Sequence, residues 1–264
     1  HMMPDFRSKR EIAWTGYVTI VRTEVRRFMR IKSQTLVPPV ITMALYLYIF
    51  GSIIGRKVGT LLDMPYVQFI GPGIIAMALI NNAYSNVSSS FFSAKNHCVY
   101  EEMFVTPIPT ISIILGYLSG GVCRGLIVMC LVSVVVYLFN PFTIHNIFVV
   151  TCVAFTTAVI FSALGMINAI IADNHDEANW VNNFVITPLT YMGGVFFPMT
   201  SLPATIQPIA ELNPILMVVS SFRYGILGVE AGSVFIHLLG LLICTIALVI
   251  LLAVMIERRY RLSD

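Results

Sequence analysis

Six runs of apolar residues, each close to the length of a membrane-spanning helix, most constrain the fold of this chain. We predict spans at about residues 35–54, 68–92, 112–139, 145–171, 183–197 and 233–256. A helix needs about 20 mainly apolar residues to cross a hydrocarbon core of about 30 Å. The chain is 57% hydrophobic and 11% charged, which is far more apolar than a soluble domain. The sequence therefore predicts an all-α integral membrane protein with six transmembrane helices.

Prolines crowd the segment that follows the fifth run, which is itself short for a complete crossing. Pro198, Pro203, Pro208 and Pro214 are separated by apolar residues. Proline interrupts a helix, and irregular backbone is tolerated in a membrane only where protein or water surrounds it. The pattern predicts broken, re-entrant helices between the fifth and sixth spans.

Residues 10–32 predict an amphipathic helix that lies along the membrane interface. Apolar residues recur at spacings of three and four, and Arg22, Arg26 and Arg30 form the opposite stripe. A soluble helix docked on a partner protein is the alternative. We expect residues 1–2 to be a tag remnant, 3–33 to be the cytoplasmic N-terminal region and 34–264 to be the transmembrane domain.

Lysines and arginines predict the orientation of the bundle. They concentrate before the first span, at Lys95 and after the last span, whereas Arg56, Lys57 and Arg223 are the few on the opposite side. Because short loops rich in lysine and arginine stay in the cytoplasm, both termini and the loop at Lys95 are expected there. The even number of spans agrees with this orientation.

Two short polar loops then project into the cytoplasm. The first contains a predicted helix at about 94–106, with Glu101 and Glu102 side by side and with prolines that end the helix. The second is the acidic turn at 173–177. An ordinary solvated loop is the alternative for the first, but such loops would let a membrane subunit hold a soluble partner.

Polar residues in the apolar runs mark a candidate translocation path. On helical spacing they form one face of the second span and one face of the fifth, and Arg124 is a charge inside the third span. Interhelical hydrogen bonds are the alternative for the two faces. For Arg124 the alternatives are contact with an anionic substrate headgroup and a structural role capping backbone carbonyls. The candidates are Asn82, Ser85, Asn86, Ser89, Asn183, Thr187, Thr190, Tyr191 and Arg124.

Nothing in the sequence indicates that this chain carries out chemistry itself. It contains no phosphate-binding loop of the Gly-x-x-x-x-Gly-Lys-Ser/Thr type. The cysteines and histidines are scattered, so no metal site is predicted, and nothing suggests nucleic-acid binding. Gly116, Gly120, Gly121 and Gly125 form two overlapping pairs of small residues, which predicts close helix packing in the third span.

A set of ordered motifs resembles the permeases of ABC-2 type transporters. They are Glu101-Glu102-Met103-Phe104-Val105-Thr106-Pro107, Gly193-Gly194-Val195-Phe196-Phe197-Pro198, Leu202-Pro203, Leu212-Asn213-Pro214 and Phe222-Arg223-Tyr224-Gly225. The similarity extends over nearly the whole chain. It implies a permease that works as two membrane subunits, here a homodimer, bound to two copies of an ABC ATPase subunit. ATP and Mg would bind that partner, and this chain would hold no cofactor.

The resemblance also implies roles for particular residues. The loop between the second and third spans would carry the coupling helix that docks on the ATPase, with a lesser contact from the second loop; the residues are Asn96, Val99, Glu101, Glu102, Met103, Phe104, Asp176 and Glu177. Residues 10–32 would be the connecting helix. Phe197, Leu202 and Leu212 are candidates for an exit gate, or equally for anchors of the broken helices.

These implications lead to one functional expectation and one alternative. We expect an ATP-driven exporter of an amphipathic or lipid-linked substrate in the bacterial cytoplasmic (inner) membrane, surrounded by membrane lipids. An ATP-independent secondary transporter or channel is the alternative. A secondary transporter would need a titratable carboxylate or a charged pair near mid-membrane, and the interiors of the predicted spans contain no acidic residue.

Overall fold

The computed structural model describes residues 8–97, 99–229 and 233–261, except for the side chains at 100, 104 and 259–261. The N-terminal part comprises α1 (Lys9–Arg30), α2 (Lys32–Thr35), α3 (Val37–Tyr46), a π-helix (Leu47–Ile54), α4 (Gly55–Val58) and an antiparallel hairpin of β1 (Thr60–Leu61) and β2 (Met64–Pro65). The middle part comprises α5 (Tyr66–Asn96), α6 (Val99–Val105), α7 (Thr110–Phe139) and α8 (Ile147–Ile171). The last part comprises α9 (His175–Ala178), a π-helix (Asn182–Ile186), α10 (Thr187–Tyr191), a 3₁₀ turn (Met199–Ser201), α11 (Gln207–Glu211), α12 (Pro214–Leu227) and α13 (Val234–Arg261).

Within the described residues, five stretches of helix are long and apolar enough to cross a membrane. They are Lys32–Val58, Tyr66–Asn96, Thr110–Phe139, Ile147–Ile171 and Val234–Arg258. Each agrees with a predicted span to within a few residues. The predicted all-α membrane fold is therefore confirmed.

The predicted fifth span, 183–197, is wrong at its C-terminal end. Helix α10 stops at Tyr191 because Gly193 and Gly194 follow it, and Gly194 takes a left-handed conformation at φ 73°. A residue in that conformation ends a helix, and glycine adopts it without a steric penalty. The apolar run thus continues as a turn, and the next apolar helix, α12, has only 14 residues. These short pieces fit the prediction of broken helices before the last span.

The bundle is arranged around α5, the least apolar of the five long helices. It packs against α7, α8, α12 and the first span, and most of its length is buried. The most apolar helix, α13, is the reverse, since only a small share of its length is buried. In a bilayer the exposed side of a bundle faces lipid, so the most apolar helix is favoured there and polar side chains are favoured inside.

Helix α1 lies against α7 through a ridge of residues spaced by four. Gly16, Ile20 and Glu24 form this ridge, and glycines of α7 receive it: a Cβ at Gly116 would lie 2.7 Å from Ile20 Cγ2, and a Cβ at Gly120 would lie 2.7 Å from Glu24 Cβ. Trp14 lies outside this ridge and is 66% exposed.

The other two glycines of the third span serve a different contact. Gly121 faces Ser162 of α8 and Val87 of α5, whereas Gly125 approaches Ala83 and Leu79 of α5. The two overlapping pairs predicted from spacing therefore pack on opposite sides of α7. One side receives α1 and the other receives neighbouring spans.

Arg223, which the sequence places on the side opposite to the cytoplasmic loops, is buried in the structure. It lies in α12 with 5% of its surface exposed. Its Nη2 donates to the Gly194 carbonyl at 2.8 Å, its Nε donates to the Phe69 carbonyl at 3.3 Å, and its guanidinium lies 3.9 Å from the centre of the Phe69 ring. Burial of a cation is tolerable here because backbone carbonyls and an aromatic face replace water. The side chain fastens α12 to the start of α5 and to the turn after α10.

Candidate coupling surface and polar cleft

The two polar loops lie side by side at one end of the bundle. Lys95, near the end of α5, donates from Nζ to the carbonyls of Ile170 and Ala172 at 2.9 and 2.7 Å, which caps the C-terminus of α8. The same ammonium lies 3.8 Å from the carboxylate of Asp173. Lysine at a helix C-terminus is favoured by the negative end of the helix dipole. The sequence predicted two loops on one side, and these contacts place them next to each other.

Helix α6 presents an acidic pair to solvent. Glu101 and Glu102 are exposed in its first turn, where carboxylates are favoured by the positive end of the helix dipole. Met103 is half-buried, with its sulfur 3.9 Å from the hydroxyl of Tyr117 on α7. Val99 is exposed.

Two of the predicted docking residues are not part of the described surface of α6. Asn96 belongs to the last turn of α5, because α5 continues to that residue and α6 begins at Val99. The predicted coupling helix at 94–106 is therefore two helices. The side chain of Phe104 lies outside the described residues. In the second loop, Asp176 and Glu177 are exposed in the single turn of α9.

An apolar groove of about 490 Å³ runs between α1, α6 and α7. Thr15, Thr19 and Thr23 form its edge on α1, and Val99 and Met103 line it from α6. Each threonine after the first turns its hydroxyl back onto the helix: Thr19 donates to the Thr15 carbonyl, and Thr23 donates to the Thr19 carbonyl. The threonine methyl groups and the α6 side chains together line an apolar groove that could accept apolar side chains of a partner.

Glu24 is the functional candidate that the sequence analysis missed. Its carboxylate is buried, accepts hydrogen bonds from the Ser90 hydroxyl and from Asn86 Nδ2 of α5, and pairs with Arg27 at 3.4 Å. Arg27 in turn donates to the side-chain and backbone oxygens of Asn86 at 2.9 and 3.1 Å. This Glu24 cluster, defined as Glu24, Arg27, Asn86 and Ser90, joins α1 to the central helix of the bundle.

A signal for Glu24 was present in the sequence. It lies four residues after Ile20 and four before Phe28, and therefore falls on one face with two apolar residues. Because burying an unpaired charge is costly, an acidic residue on such a face is expected to have a polar partner on the neighbouring helix. Only the fold shows that this partner is the polar face of the second span.

The Glu24 cluster predicts a pH dependence of stability. Burial raises the pKa of Glu24, and the charge of Arg27 opposes the shift only in part. Among the described residues, the phenol of Tyr117 also faces this carboxylate. Between the ordinary and the raised pKa the folded state keeps a proton that the unfolded state has lost, so stability falls as pH rises through that window. We expect the melting temperature in detergent to fall as pH rises from about 4.5.

The variant Glu24→Gln provides the control for this prediction. Glutamine has nearly the same shape and does not titrate, so its melting temperature should change less over the same range. Parallel pH curves for the wild type and Glu24→Gln would show that the carboxylate has no part in the effect. Thermal melting followed by tryptophan fluorescence is a suitable measurement.

The predicted polar face of the second span divides between two environments. Asn82 and Asn86 are buried, and Asn86, at 0% exposure, is committed to Glu24 and Arg27. The interhelical hydrogen bonds offered as the alternative fit these two residues. Ser85 is half-buried, and Ser89 is exposed.

Ser85 and Ser89 line a cleft of about 310 Å³ at the end of the bundle that carries α6. Arg124 also lines this cleft, so the fold brings together three of the predicted path residues. The remaining described lining residues are Tyr84, Ser88 and Phe92 of α5 and His175, Ala178 and Asn179 of the second loop.

The predicted polar face of the fifth segment does not form. A π-helix at Asn182–Ile186 adds a residue to the turn, so side chains three and four apart no longer share a face. Asn183 and Tyr191 are exposed, whereas Thr190 is buried and donates its hydroxyl to the Ile186 carbonyl. Thr187 is half-buried and donates to the Asn182 carbonyl five residues back.

The three gate candidates occupy different environments at the opposite end. Phe197 and Leu202 are half-buried, and Leu212 is 78% exposed. The aromatic residue that packs there is Phe196. Its ring lies 4.4 Å from that of Phe50, and its carbonyl accepts a hydrogen bond of 2.7 Å from Tyr66. Phe196 therefore anchors the turn after α10, and it is the neighbour of the predicted candidate Phe197.

Comparison with known proteins identifies the family. The family model described as ABC-2 type transporter matches residues 15–227, from α1 to the end of α12. The chain is similar to the inner membrane transport permease YadH of Escherichia coli (strain K12), with 49% identity over 217 residues, covering 82% of this chain and 85% of that protein.

More distant relatives cover a similar share of the chain. It is 22% identical over 245 residues to Nodulation protein J of Neorhizobium galegae, covering 92% of this chain and 93% of that protein. It is 24% identical over 216 residues to Nodulation protein J of Rhizobium leguminosarum bv. viciae, covering 81% of this chain and 83% of that protein.

Family membership implies an ABC ATPase as the partner of the permease. The long apolar helices of this chain and its similarity to an inner membrane permease indicate a multi-pass inner membrane protein. The chain belongs to the ABC-2 type transporter family, in which it is the membrane-embedded permease subunit.

Proposed function

We propose that this chain is one half of a homodimeric, ATP-driven exporter that moves an amphipathic or lipid-linked substrate across the inner membrane. Two copies of an ABC ATPase subunit would bind ATP and Mg and supply the energy. The observation that supports this most directly is α6, a short helix with an exposed acidic pair, located between the ends of α5 and α7 and beside α1. Movement imposed on α6 would act directly on these two long helices.

Several parts of the proposal follow from the same arrangement. Residues 3–33 and 34–264 would be the cytoplasmic N-terminal region and the transmembrane domain, with both termini in the cytoplasm. The acidic loop of Asp176 and Glu177 would give the ATPase a second contact. The segment that contains Phe197, Leu202 and Leu212 lies at the opposite end, where an exit gate would be needed.

Reversal of the acidic pair tests the proposal. We expect the double variant Glu101→Lys, Glu102→Lys to reduce copurification with the partner ABC ATPase by at least tenfold. Removing a charge from a desolvated interfacial pair costs about 2–5 kcal/mol, and reversal adds repulsion. Pull-down from detergent-solubilised membranes measures the loss.

The matched control is Glu211→Lys, which reverses an exposed acid on α11, within the segment that contains the gate candidates. It should copurify like the wild type. Undiminished copurification of the double variant would contradict the assignment of α6. Labelling of a cysteine at position 102 from outside the cell would contradict the orientation, and transport by the permease without the ATPase would favour the secondary-transporter alternative.

A further inference from the structure

The polar cleft next to Arg124 has an excess of positive charge. Its described lining comprises Ser85, Ser88, Ser89, Arg124, His175 and Asn179, with Tyr84, Phe92 and Ala178 completing the wall. None of these residues is a carboxylate. The nearby Glu177 is occupied within its own loop, where it accepts hydrogen bonds from the Asp173 backbone amide and the Asn174 side chain.

Arg124 is incompletely satisfied by the protein. Its Nη2 makes two long hydrogen bonds of 3.4 Å, to the Thr35 carbonyl and to Asn82 Oδ1, which fits a carbonyl-capping role. Its Nε is buried and has no hydrogen-bond partner among the described residues. A guanidinium offers five donors, and a buried donor without an acceptor is costly. The side chain therefore has capacity for a ligand.

A second arginine lies one helical turn away along α5. Arg124 bonds to Asn82 and Arg27 bonds to Asn86, four residues later. Glu24 pairs with Arg27 at 3.4 Å, whereas no carboxylate is among the described residues that line the cleft beside Arg124. This local excess of positive charge favours an anion, and the planar fork of arginine suits phosphate oxygens.

Two exposed aromatic side chains follow the cleft residue Asn179 in the chain. Trp180 follows Asn179 directly in the chain; its ring stacks on that of Phe184 with 5.6 Å between centres, and both side chains are exposed. A polar cleft of about 310 Å³ beside exposed aromatic rings suits a molecule with a charged head and a hydrocarbon tail.

We propose that the cleft formed by Ser85, Ser89, Arg124 and Asn179 binds the phosphate-bearing headgroup of an amphiphilic substrate, with its tail against Trp180 and Phe184. This inference rests on the proposed transport function and names the substrate class of its path. Arg124 binds the phosphate directly, and Ser85 contributes a hydroxyl at the cleft wall.

Binding can be measured on the full-length permease without its ATPase. The chain has two tryptophans, so a Trp14→Phe background leaves Trp180 as the reporter next to the cleft. Dioctanoyl phosphatidic acid is the probe, and dioctanoyl phosphatidylcholine is the zwitterionic comparison. We expect phosphatidic acid to change Trp180 fluorescence saturably and to bind at least tenfold more tightly than phosphatidylcholine.

Arg124→Gln should weaken phosphatidic acid binding at least tenfold, and the exposed Arg56→Gln should leave it unchanged. Ser85→Asp keeps Arg124 but places a carboxylate in the cleft, so it should also weaken phosphatidic acid binding. This second variant tests the proposal even if Arg124→Gln fails to fold. Unchanged binding in Arg124→Gln and Ser85→Asp would overturn the proposal. Displacement of the lipid by inorganic phosphate at equal concentration would overturn the lipid assignment and identify a free anion as the ligand.

The proposal can fail independently of the proposed function. Arg124 is not among the residues proposed to dock on the ATPase, so Arg124→Gln should still copurify with the ATPase. Loss of ATPase binding in the α6 variants with intact phosphatidic acid binding would support both statements. If Arg124→Gln and Ser85→Asp both leave ATPase binding and phosphatidic acid binding unchanged, the proposed headgroup site would be wrong and the proposed transport function would stand.

Discussion

Addition of one methyl group at position 165, as Gly165→Ala, is expected to lower the stability of the folded permease by about 3 kcal/mol. The new Cβ would lie 2.5 Å from the Tyr84 carbonyl oxygen and 3.2 Å from the Ser88 nitrogen, both on the backbone of α5. Backbone atoms within a helix cannot rotate away as a side chain can. The central pair of helices, α5 and α8, would have to separate, and contacts along both would be lost.

A glycine in another span supplies the control. At Gly240 an added Cβ would find Met217 Sδ at 3.4 Å, an ordinary contact with a flexible side chain. Because alanine favours a helix over glycine by about 1 kcal/mol, Gly240→Ala should be neutral or stabilising. Thermal melting of the purified proteins in detergent measures both variants. Equal melting temperatures would show that α5 and α8 tolerate greater separation.

Loss of the Glu24 carboxylate should have the second large effect. We expect Glu24→Ala to cost about 3–5 kcal/mol, because it leaves Arg27 without its carboxylate and leaves Asn86 and Ser90 without their acceptor. Helix α1 would then detach more readily from α7. Its arginines would become accessible to trypsin, so limited proteolysis and thermal melting should change together.

Two comparisons make the Glu24 prediction specific. Arg22→Ala removes an exposed charge from the same helix and should leave stability within about 0.5 kcal/mol. A double-mutant cycle between Glu24→Ala and Ser90→Ala should show a coupling of about 1 kcal/mol or more. Additive effects would mean that the hydroxyl and the carboxylate do not depend on each other.

The Glu24 cluster also gives α1 a mechanical role in the proposed exporter. The helix contacts α7 through Ile20 at Gly116, and it bonds to α5 through Glu24 and Arg27. The same helix borders the groove next to α6. A displacement of α6 by the ATPase would therefore reach the second and third spans along two routes, through their own ends and through α1.

The sequence predicted the long helices well because each is a local property. A run of about 20 apolar residues is sufficient to predict a helix in a membrane, where backbone groups must bond within the segment. The fifth segment was extended too far because apolar composition continues through Val195 to Phe197, while the Gly193-Gly194 pair ends the helix. The apolar composition of residues 195–197 reflects their burial and does not indicate that they are helical.

The candidate sites depended more on packing than on spacing. Asn86 and Ser89 fall on one predicted face, but α1 covers the first and leaves the second exposed. In the fifth segment the π-helix changes the phase of the side chains, and no spacing rule anticipates that. Phe197 was the predicted gate or anchor residue, but it is the neighbouring Phe196 whose ring packs against Phe50.

By itself the sequence determined the membrane class, the position of the long helices, the exposed acidic pair at Glu101 and Glu102, and the family resemblance. These follow from composition and from motifs that are contiguous in the chain. Only the tertiary structure decided that Glu24 is buried against the second span and that Arg124 shares a cleft with Ser85 and His175. The physical reason is that each of these contacts joins residues distant in sequence, and their free energy exists only once the helices have packed.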